Sequence, residues 1–114
     1  MSLKRFSPNA LIVEEFDKTL FYGFIIRRNF KPSQKTVTNS SGLLITVPLI
    51  GRVVVFITNT SSTDTVYIGD NTVTTANGTP IAPNARISIM AEDNIDIWAV
   101  SSGAATDVRI LEGS

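Results

Sequence analysis

In the second half of the chain, apolar residues recur at every second position, and this spacing limits the possible folds more than any other feature. A period of two places alternate side chains on opposite faces of a β-strand. The runs concerned are rich in β-branched and aromatic residues and are bounded by Gly, Asn, Asp, Ser or Pro; they cover 52–58, 65–69, 85–89, 95–100 and 107–111. They predict an all-β fold whose antiparallel strands follow one another in a meander.

Shorter segments extend this prediction. With further strands at 43–47 and 71–75, seven or eight strands fit an antiparallel β-sandwich or jelly roll with an N-terminal arm or added strands. Turn-forming residues at 90–95 and 100–106 indicate hairpin connections. Gly69 or Gly78 is expected to have a positive φ angle. Pro80 and Pro83 are expected to keep their segment out of any strand pairing.

The strand predicted at 52–58 is apolar on both faces. Val53, Val55 and Ile57 point to one side, whereas Val54 and Phe56 point to the other. A two-layer sandwich covers one face of each sheet, so the second face needs another cover. We therefore predict that Val54 and Phe56 contact the N-terminal segment or a neighbouring subunit.

Charged and aromatic residues are divided unevenly along the 114 residues, although the formal net charge is zero. Up to Lys35 there are seven basic residues against three acidic ones, and from Thr36 onward there are three against seven. The first part also holds six of the nine aromatic residues. We predict that 1–35 is an attachment arm or a set of edge strands and that 36–114 forms the sandwich domain. The residues predicted to bind a partner are Phe6, Phe16, Phe21, Tyr22, Phe24, Arg27, Arg28 and Phe30.

Several kinds of catalysis are excluded by composition. The chain has no Cys and no His, which removes thiolate nucleophiles, imidazole bases and the commonest zinc ligands. Ser101 and Ser102 therefore have no histidine to activate them. Glu92, Asp93 and Asp96 could supply a carboxylate pair for glycoside hydrolysis, but such clusters are more often a solvated loop. We predict that the protein is not an enzyme.

The stretch GDNTVTTANG, which contains Asp70, has the composition of a ligand-binding loop. A phosphate loop needs a glycine turn that opens a helix, whereas this turn leads towards another strand. A calcium loop needs several carboxylates at alternate positions, and Asp70 stands among Asn and Thr. We expect no cofactor and no metal, with weak calcium contact at Asp70 as the alternative.

No membrane association is expected from the sequence. The apolar run at 20–26 is far shorter than the roughly 20 residues that a membrane span needs. The segment before Glu14 has basic residues but no apolar core of signal-peptide length. We therefore expect a soluble protein.

The segments VYIGDNTVTTANGTPIAP, ARISIMAEDNIDIWAVSS and DVRILEG, which lie within 66–113, resemble a module of small virion proteins of tailed bacteriophages. The similar features are a strand that ends Tyr-Ile-Gly, a Gly-x-Pro-Ile-x-Pro segment and a final strand with Val-Arg-Ile-Leu-Glu. The resemblance spans about half of the chain and does not include the first 35 residues. It implies a β-sandwich displayed on the virion, as in capsid decoration proteins and in head or tail accessory proteins.

The expectation is therefore a virion structural protein, namely a decoration or cement protein on the capsid exterior. Its expected partners are the major capsid protein or another virion protein, and the resemblance implies a homotrimer at quasi-threefold positions. Such a protein is made in the host cytoplasm and resides on the capsid surface. The alternative is a receptor- or glycan-binding module of a phage fibre or tail, with Trp98 or Tyr67 stacking on a sugar. Binding of single-stranded nucleic acid through Arg27 and Arg28 is disfavoured because the rest of the chain is acidic.

Overall fold

The computed structural model describes residues 29–114, and these residues form eight β-strands and no helix. All of them except the two-residue strand Gly42–Leu43 carry β-branched residues, which pack well on a pleated surface. The strands are β1 (Phe30–Val37), β2 (Gly42–Leu43), β3 (Val54–Asn59), β4 (Val66–Gly69), β5 (Thr79–Ile81), β6 (Arg86–Ile89), β7 (Trp98–Ser101) and β8 (Thr106–Gly113).

The strands form two antiparallel sheets. The first sheet has the order β1-β8-β3-β6, and the second sheet has the order β2-β7-β4-β5. This is the strand order of a jelly roll, an eight-stranded sandwich in which most consecutive strands lie in different sheets. The predicted all-β, antiparallel sandwich or jelly roll is confirmed.

The predicted meander is wrong, because consecutive strands pair directly only between β4 and β5. The connections at 90–97 and 102–105 lead from one sheet to the other and are not hairpins. Turn-forming residues are the same in a hairpin and in a loop that joins two sheets. Whether a loop forms a hairpin or joins the two sheets is decided by the packing of the two apolar sheet faces, which is not a local property of the sequence.

The core lies between the two sheets. Val55 and Ile57 of β3 and Val108 and Ile110 of β8 point inward and are buried. The second sheet and the connecting loops complete the core with Leu44, Ile45, Val66, Ile68, Ile81, Ala91, Ile97 and Ala99. Alternation along β3 and β8 therefore separates an inner face from an outer face, as the period of two predicts.

Two of the predicted strands are not formed as expected. Of 43–47, only Leu43 lies in a strand, and 71–75 forms turns. In the latter, the Asp70 carboxylate accepts hydrogen bonds from the Thr72 amide at 2.9 Å and from its hydroxyl at 2.5 Å. The Asn77 side-chain oxygen accepts one from the Thr74 amide at 2.7 Å. These side chains offer the backbone partners that compete with strand pairing.

Proline takes part in both sheets. Pro80 lies in β5 and Pro32 lies in β1, and each of these strands is at the edge of its sheet. The expectation that Pro80 stays out of strand pairing is wrong, since it is opposite Tyr67 in the register of β5 and β4. An edge strand tolerates proline because one side of it has no neighbouring strand to receive an N–H group.

Glycine has a different role from the one expected in the turns after β4. Positive φ angles in the described residues occur at Gly51 (77°) and Asn84 (61°), and not at Gly69 or Gly78. A Cβ atom on Gly78 would lie 2.7 Å from Tyr67 Cβ and 2.7 Å from Val73 Cγ2. Close packing against these side chains, rather than an unusual backbone angle, requires glycine at this position.

The boundary predicted after residue 35 falls inside β1, which continues to Val37. Residues 30–35 pair with β8 and form an edge strand of the first sheet, which is one of the two outcomes that the sequence left open. The rest of the predicted arm, residues 1–28, lies outside the described residues.

Candidate interaction surface

Most of the residues predicted to bind a partner lie outside the described part of the chain: Phe6, Phe16, Phe21, Tyr22, Phe24, Arg27 and Arg28. Phe30 is described, and 61% of its surface is exposed at the start of β1. Val54 and Phe56 lie on β3, two strands away in the same sheet. The register brings these three residues onto one surface.

An apolar patch occupies one end of the outer face of the first sheet. Phe30 is opposite Gly113, which is opposite Val54. In the next row Pro32 is opposite Leu111, which is opposite Phe56. Directly opposed residues share a face of the sheet. We call the apolar side chains of these two rows the outer patch: Phe30, Pro32, Val54, Phe56 and Leu111.

The members of the outer patch differ in exposure. Val54 is 4% exposed, whereas Phe56 and Leu111 are half-buried and Phe30 is largely exposed. Phe30, Phe56 and Leu111 line a groove of about 660 Å³. The expected cover of Val54 and Phe56, whether the N-terminal segment or another subunit, stays a prediction.

Two arginines lie beside the outer patch. Arg86 of β6 and Arg109 of β8 are exposed and line the same groove. Arg109 Nε donates a hydrogen bond to Asp107 Oδ2 at 2.9 Å. Asp107 also accepts hydrogen bonds from Gln34 Nε2 at 2.6 Å and from the Thr60 hydroxyl at 2.9 Å. The bonds from Gln34 and Thr60, followed by the one from Arg109, hold the pKa of Asp107 below its ordinary value.

Behind the outer patch lies a buried ion pair that the sequence analysis did not identify. Arg52 Nη1 is 3.1 Å from Glu112 Oε2, and both side chains are buried. The remaining Arg52 nitrogens donate to backbone carbonyls: Nε to Ala91 at 2.9 Å, and Nη2 to Glu92 at 2.6 Å and to Ile95 at 2.8 Å. Arg52 therefore joins the end of β8 to the connection between β6 and β7.

The period of two could have identified one member of this pair. Glu112 follows Val108 and Ile110 on the inner face of β8, where a carboxylate needs a partner. Oε2 also accepts a hydrogen bond from the Leu49 amide at 3.0 Å. Arg52 lies 60 residues away in sequence, and no local pattern links it to Glu112.

Several of the other sequence candidates have structural partners in the described residues. Asp70 is bound to Thr72, whose hydrogen bonds lower the pKa of its carboxyl group. Asp93 accepts a hydrogen bond from the Gly51 amide at 2.7 Å. The Ser101 hydroxyl is buried 2.5 Å from the Thr106 hydroxyl. Among residues 29–114, no three acidic side chains are close enough together to hold a metal ion.

Tyr67 and Trp98 lie on the outer face of the second sheet. Trp98 is opposite Gly69, and Tyr67 is opposite Val100, so the two aromatic residues are diagonal neighbours on strands β7 and β4. Both are half-buried. The two side chains form a second candidate surface, and stacking of a sugar on it stays a prediction.

No protein-family model matches the chain. No curated protein and no solved structure matches it either. Over the described residues, no helix is long and apolar enough to cross a membrane.

Proposed function

We propose that the protein is a bacteriophage virion structural protein, a decoration protein that binds the capsid exterior as a homotrimer. The outer patch is the observation that carries this proposal. An exposed sheet face that presents Phe30, Phe56 and Leu111 loses water-exposed apolar area when another protein covers it. The resemblance of 66–112 to phage virion modules supplies the kind of partner.

The fold supports the proposal by analogy. Jelly rolls are common among viral capsid domains, and they also occur among lectins and cupins. Fold alone does not select a function, so the argument depends on the surface. The outer patch is apolar and flanked by Arg86 and Arg109, and it therefore fits a partner surface that is apolar at its centre and acidic at its margin.

Cosedimentation with capsids that lack the protein tests the proposal. Phe30→Glu places a charge within the outer patch and is expected to leave the protein in the supernatant, with its melting temperature unchanged because Phe30 is exposed. Thr36→Glu is the matched control, since Thr36 is exposed on the same strand, next to Asp107 and away from the outer patch. It is expected to pellet with the shells.

Two results would contradict the proposal. Either the unmodified protein fails to pellet with any such capsid, or Phe30→Glu and Thr36→Glu pellet equally well. A molar mass from light scattering that corresponds to a single chain on and off the capsid would contradict the trimer.

A second function is favoured by the aromatic pair on the second sheet. Tyr67 and Trp98 could stack on a sugar ring if the protein is a receptor-binding module of a fibre or tail. Binding on a glycan array that is lost in Trp98→Ala, together with no binding to capsids, would establish this alternative. A decoration protein is expected to bind capsids and no glycan.

A further inference from the structure

The two side edges of the sandwich differ in charge, and a groove opens at each of them. The edge strands are β1 and β6 in the first sheet and β2 and β5 in the second. β1 contacts β7, which pairs with β2, so β1 and β2 lie on the same side of the sandwich. Three strand spacings, about 15 Å, separate β1 from β6. The two grooves therefore lie on opposite sides of the molecule.

The groove at the edge formed by β5 and β6 is acidic. Its volume is about 630 Å³, and buried core residues form its base. The side chains of Met90 and Ile95 line it and are 58% and 51% exposed. Three exposed carboxylates also line it, namely those of Asp70, Glu92 and Asp96. We call this surface, which carries a charge of −3 from the three carboxylates beside exposed apolar side chains, the acidic groove.

The charge of the acidic groove is not neutralised by other described residues. None of its carboxylates forms an ion pair with another residue of 29–114. Arg52 approaches through the carbonyls of Glu92 and Ile95, but Glu112 compensates its charge. A partner that presents positive charge beside apolar side chains therefore complements this surface.

The groove at the edge formed by β1 and β2 is basic. Lys31 and Lys35 share a face of β1 with the core residue Val37. With Val47, which is 67% exposed, they line a groove of about 240 Å³, and among the described residues no acidic one lines it. Lys31 Nζ donates a hydrogen bond to the Val47 carbonyl, which leaves further N–H donors of the ammonium group for a partner. We call this surface, with a charge of +2 from the two lysines, the basic groove.

We propose that copies of this protein associate edge to edge, with the basic groove of one copy on the acidic groove of the next. Lys31 and Lys35 face the carboxylates, and Val47 packs against Met90 and Ile95. A second copy is the occupant because the chain itself presents both complementary surfaces, on opposite sides, where they do not meet within one copy. The inference rests on the proposed function in one respect, which is the closure of this contact into a ring of three.

A contact between two different surfaces is head-to-tail, and it continues from copy to copy until a ring closes or a filament forms. In a closed ring of three, every basic groove and every acidic groove is filled. The outer patch lies on the face of the first sheet, between the two edges, and takes no part in this contact. Oligomerisation and capsid binding thus use different surfaces.

Disulfide cross-linking tests the proposal, because the chain has no cysteine. The single variants Val47→Cys and Ile95→Cys are mixed in equal amounts, without capsids, and treated with oxidised glutathione. In the matched control Ser88→Cys takes the place of Ile95→Cys, and its thiol lies on the outer face of β6. All three positions are exposed, so no substitution removes a core side chain.

The expected product is a mixed dimer of Val47→Cys with Ile95→Cys, identified by mass spectrometry. It should be at least about tenfold more abundant than dimers with Ser88→Cys or dimers of one variant with itself, because the contact brings only this pair of thiols together. Absence of the mixed dimer would overturn the proposal. Dimers of either variant with itself at a comparable yield would also overturn it, since they indicate a two-fold contact.

Charge reversal gives a second measurement, the molar mass of the full-length protein by light scattering. Lys35→Glu with Thr46→Glu makes the basic groove negative and should reduce the oligomer to single chains. Adding Glu92→Lys with Asp96→Lys makes the acidic groove positive and should restore the oligomer. Failure of the second pair to restore it would contradict the charge complementarity.

The control for charge reversal is Arg86→Glu with Ser88→Glu. It lowers the net charge as much as Lys35→Glu with Thr46→Glu does, but on the outer face of β6, and should leave the molar mass unchanged. Equal dissociation by the two pairs would overturn the proposal. A single-chain mass for the unmodified protein at every concentration up to millimolar would overturn it as well.

The edge contact and the proposed function are separated by two further results. Cross-linked oligomers that do not pellet with capsids would contradict the capsid function and support the edge contact. Chains that pellet with capsids but give no mixed dimer would contradict the edge contact alone. The double variant Val47→Cys with Ile95→Cys should give a covalent trimer without free thiols, and a ladder beyond three chains would contradict the ring of three.

Discussion

Strand β8 carries an ion pair at each end, and the two pairs have opposite surroundings. Near its C-terminal end Glu112 pairs with Arg52, and their side chains are 0% and 1% exposed. Near its start Asp107 pairs with Arg109, and these side chains are 37% and 64% exposed. The N–O distances of 3.1 Å and 2.9 Å are nearly the same. Distance therefore says little about which pair matters for stability.

The difference lies in what happens when one partner is lost. Water replaces a missing partner at Asp107, but it does not reach Glu112, so a buried charge left alone is strongly unfavourable. Arg52 also donates to three backbone carbonyls that have been removed from water. The buried pair thus fixes two loops. At the exposed pair, either side chain can hydrogen-bond to water instead of to its partner.

A neutral residue performs the corresponding role at the other end of the sandwich. Asn59 is opposite Val108, close to Asp107, and is fully buried. Its amide nitrogen donates to the carbonyls of Asp64, Ile81 and Ala82 at 2.8 to 3.2 Å. At one end of the sandwich a buried ion pair connects neighbouring segments of the chain. At the other end the buried Asn59 amide does so.

The largest effect is expected at the buried pair. Arg52→Met keeps much of the side-chain volume but leaves Glu112 without a counter-charge, and it should lower the free energy of unfolding by about 3–5 kcal/mol. Urea denaturation followed by Trp98 fluorescence measures this change. A loss below about 1 kcal/mol would mean that Arg52 does not hold the two loops.

The control for this experiment is a double substitution. Arg52→Met with Glu112→Leu removes both charges, so it should cost less than the sum of the two single substitutions, by about 0.5–3 kcal/mol. Strict additivity would show that the two charges do not interact.

A smaller effect is expected at the neutral end. Asn59→Ala leaves three carbonyls without their side-chain donor and should cost about 1–3 kcal/mol. Asn71→Ala, at an exposed turn position, is the matched control and should be neutral. If Asn59→Ala is as harmless as Asn71→Ala, the amide does not connect β3 to β5.

At the exposed pair, Arg109→Met should leave the free energy of unfolding unchanged within experimental error, because both side chains are accessible to water. The same urea titration applies, with Arg52→Met as the comparison. A loss as large as that of Arg52→Met would remove the contrast between the two ends of β8.

The last prediction concerns stability in acid. The pKa of Asp107 is lowered by hydrogen bonds from Gln34 and Thr60, so its charged form is favoured in the folded state. This contribution is present above the unfolded pKa of about 4 and is lost as the pH falls through the lower folded value. Asp107→Asn should therefore be less stable than the unmodified protein at neutral pH, and the difference should shrink in acid. A difference that is constant between pH 7 and pH 2 would show that ionisation of Asp107 is not involved.

Much of the fold could be predicted because period-two patterns are local. The runs that became β3, β4, β6, β7 and β8 are visible in the sequence to within a few residues. The turns at 71–75 were missed because hydrogen bonds from Asp70 and Asn77 to the backbone compete with strand formation. The pairing of strands was missed because the same loops suit a meander and a jelly roll.

The candidate surface could be predicted in part for the same reason. The two apolar faces of β3 pointed to Val54 and Phe56 as a contact, and alternation placed them correctly on one side. The sequence did not give the registers that bring Phe30 and Leu111 beside them, since register depends on pairing across more than 50 residues. The ion pair of Arg52 and Glu112 was not predicted, because the two residues are 60 apart in sequence and come together only in the folded chain.

The prolines of β1 and β5 have a consequence for how copies of this protein behave when crowded. A strand edge with unpaired N–H and C=O groups can recruit an edge from another molecule and start cross-β polymerisation. Pro32 and Pro80 each remove a donor from one such edge, and the opposite edges, β6 and β2, are four and two residues long. Within residues 29–114, the edges of both sheets are therefore poor templates for pairing between copies, and we expect crowding not to start cross-β fibres from them.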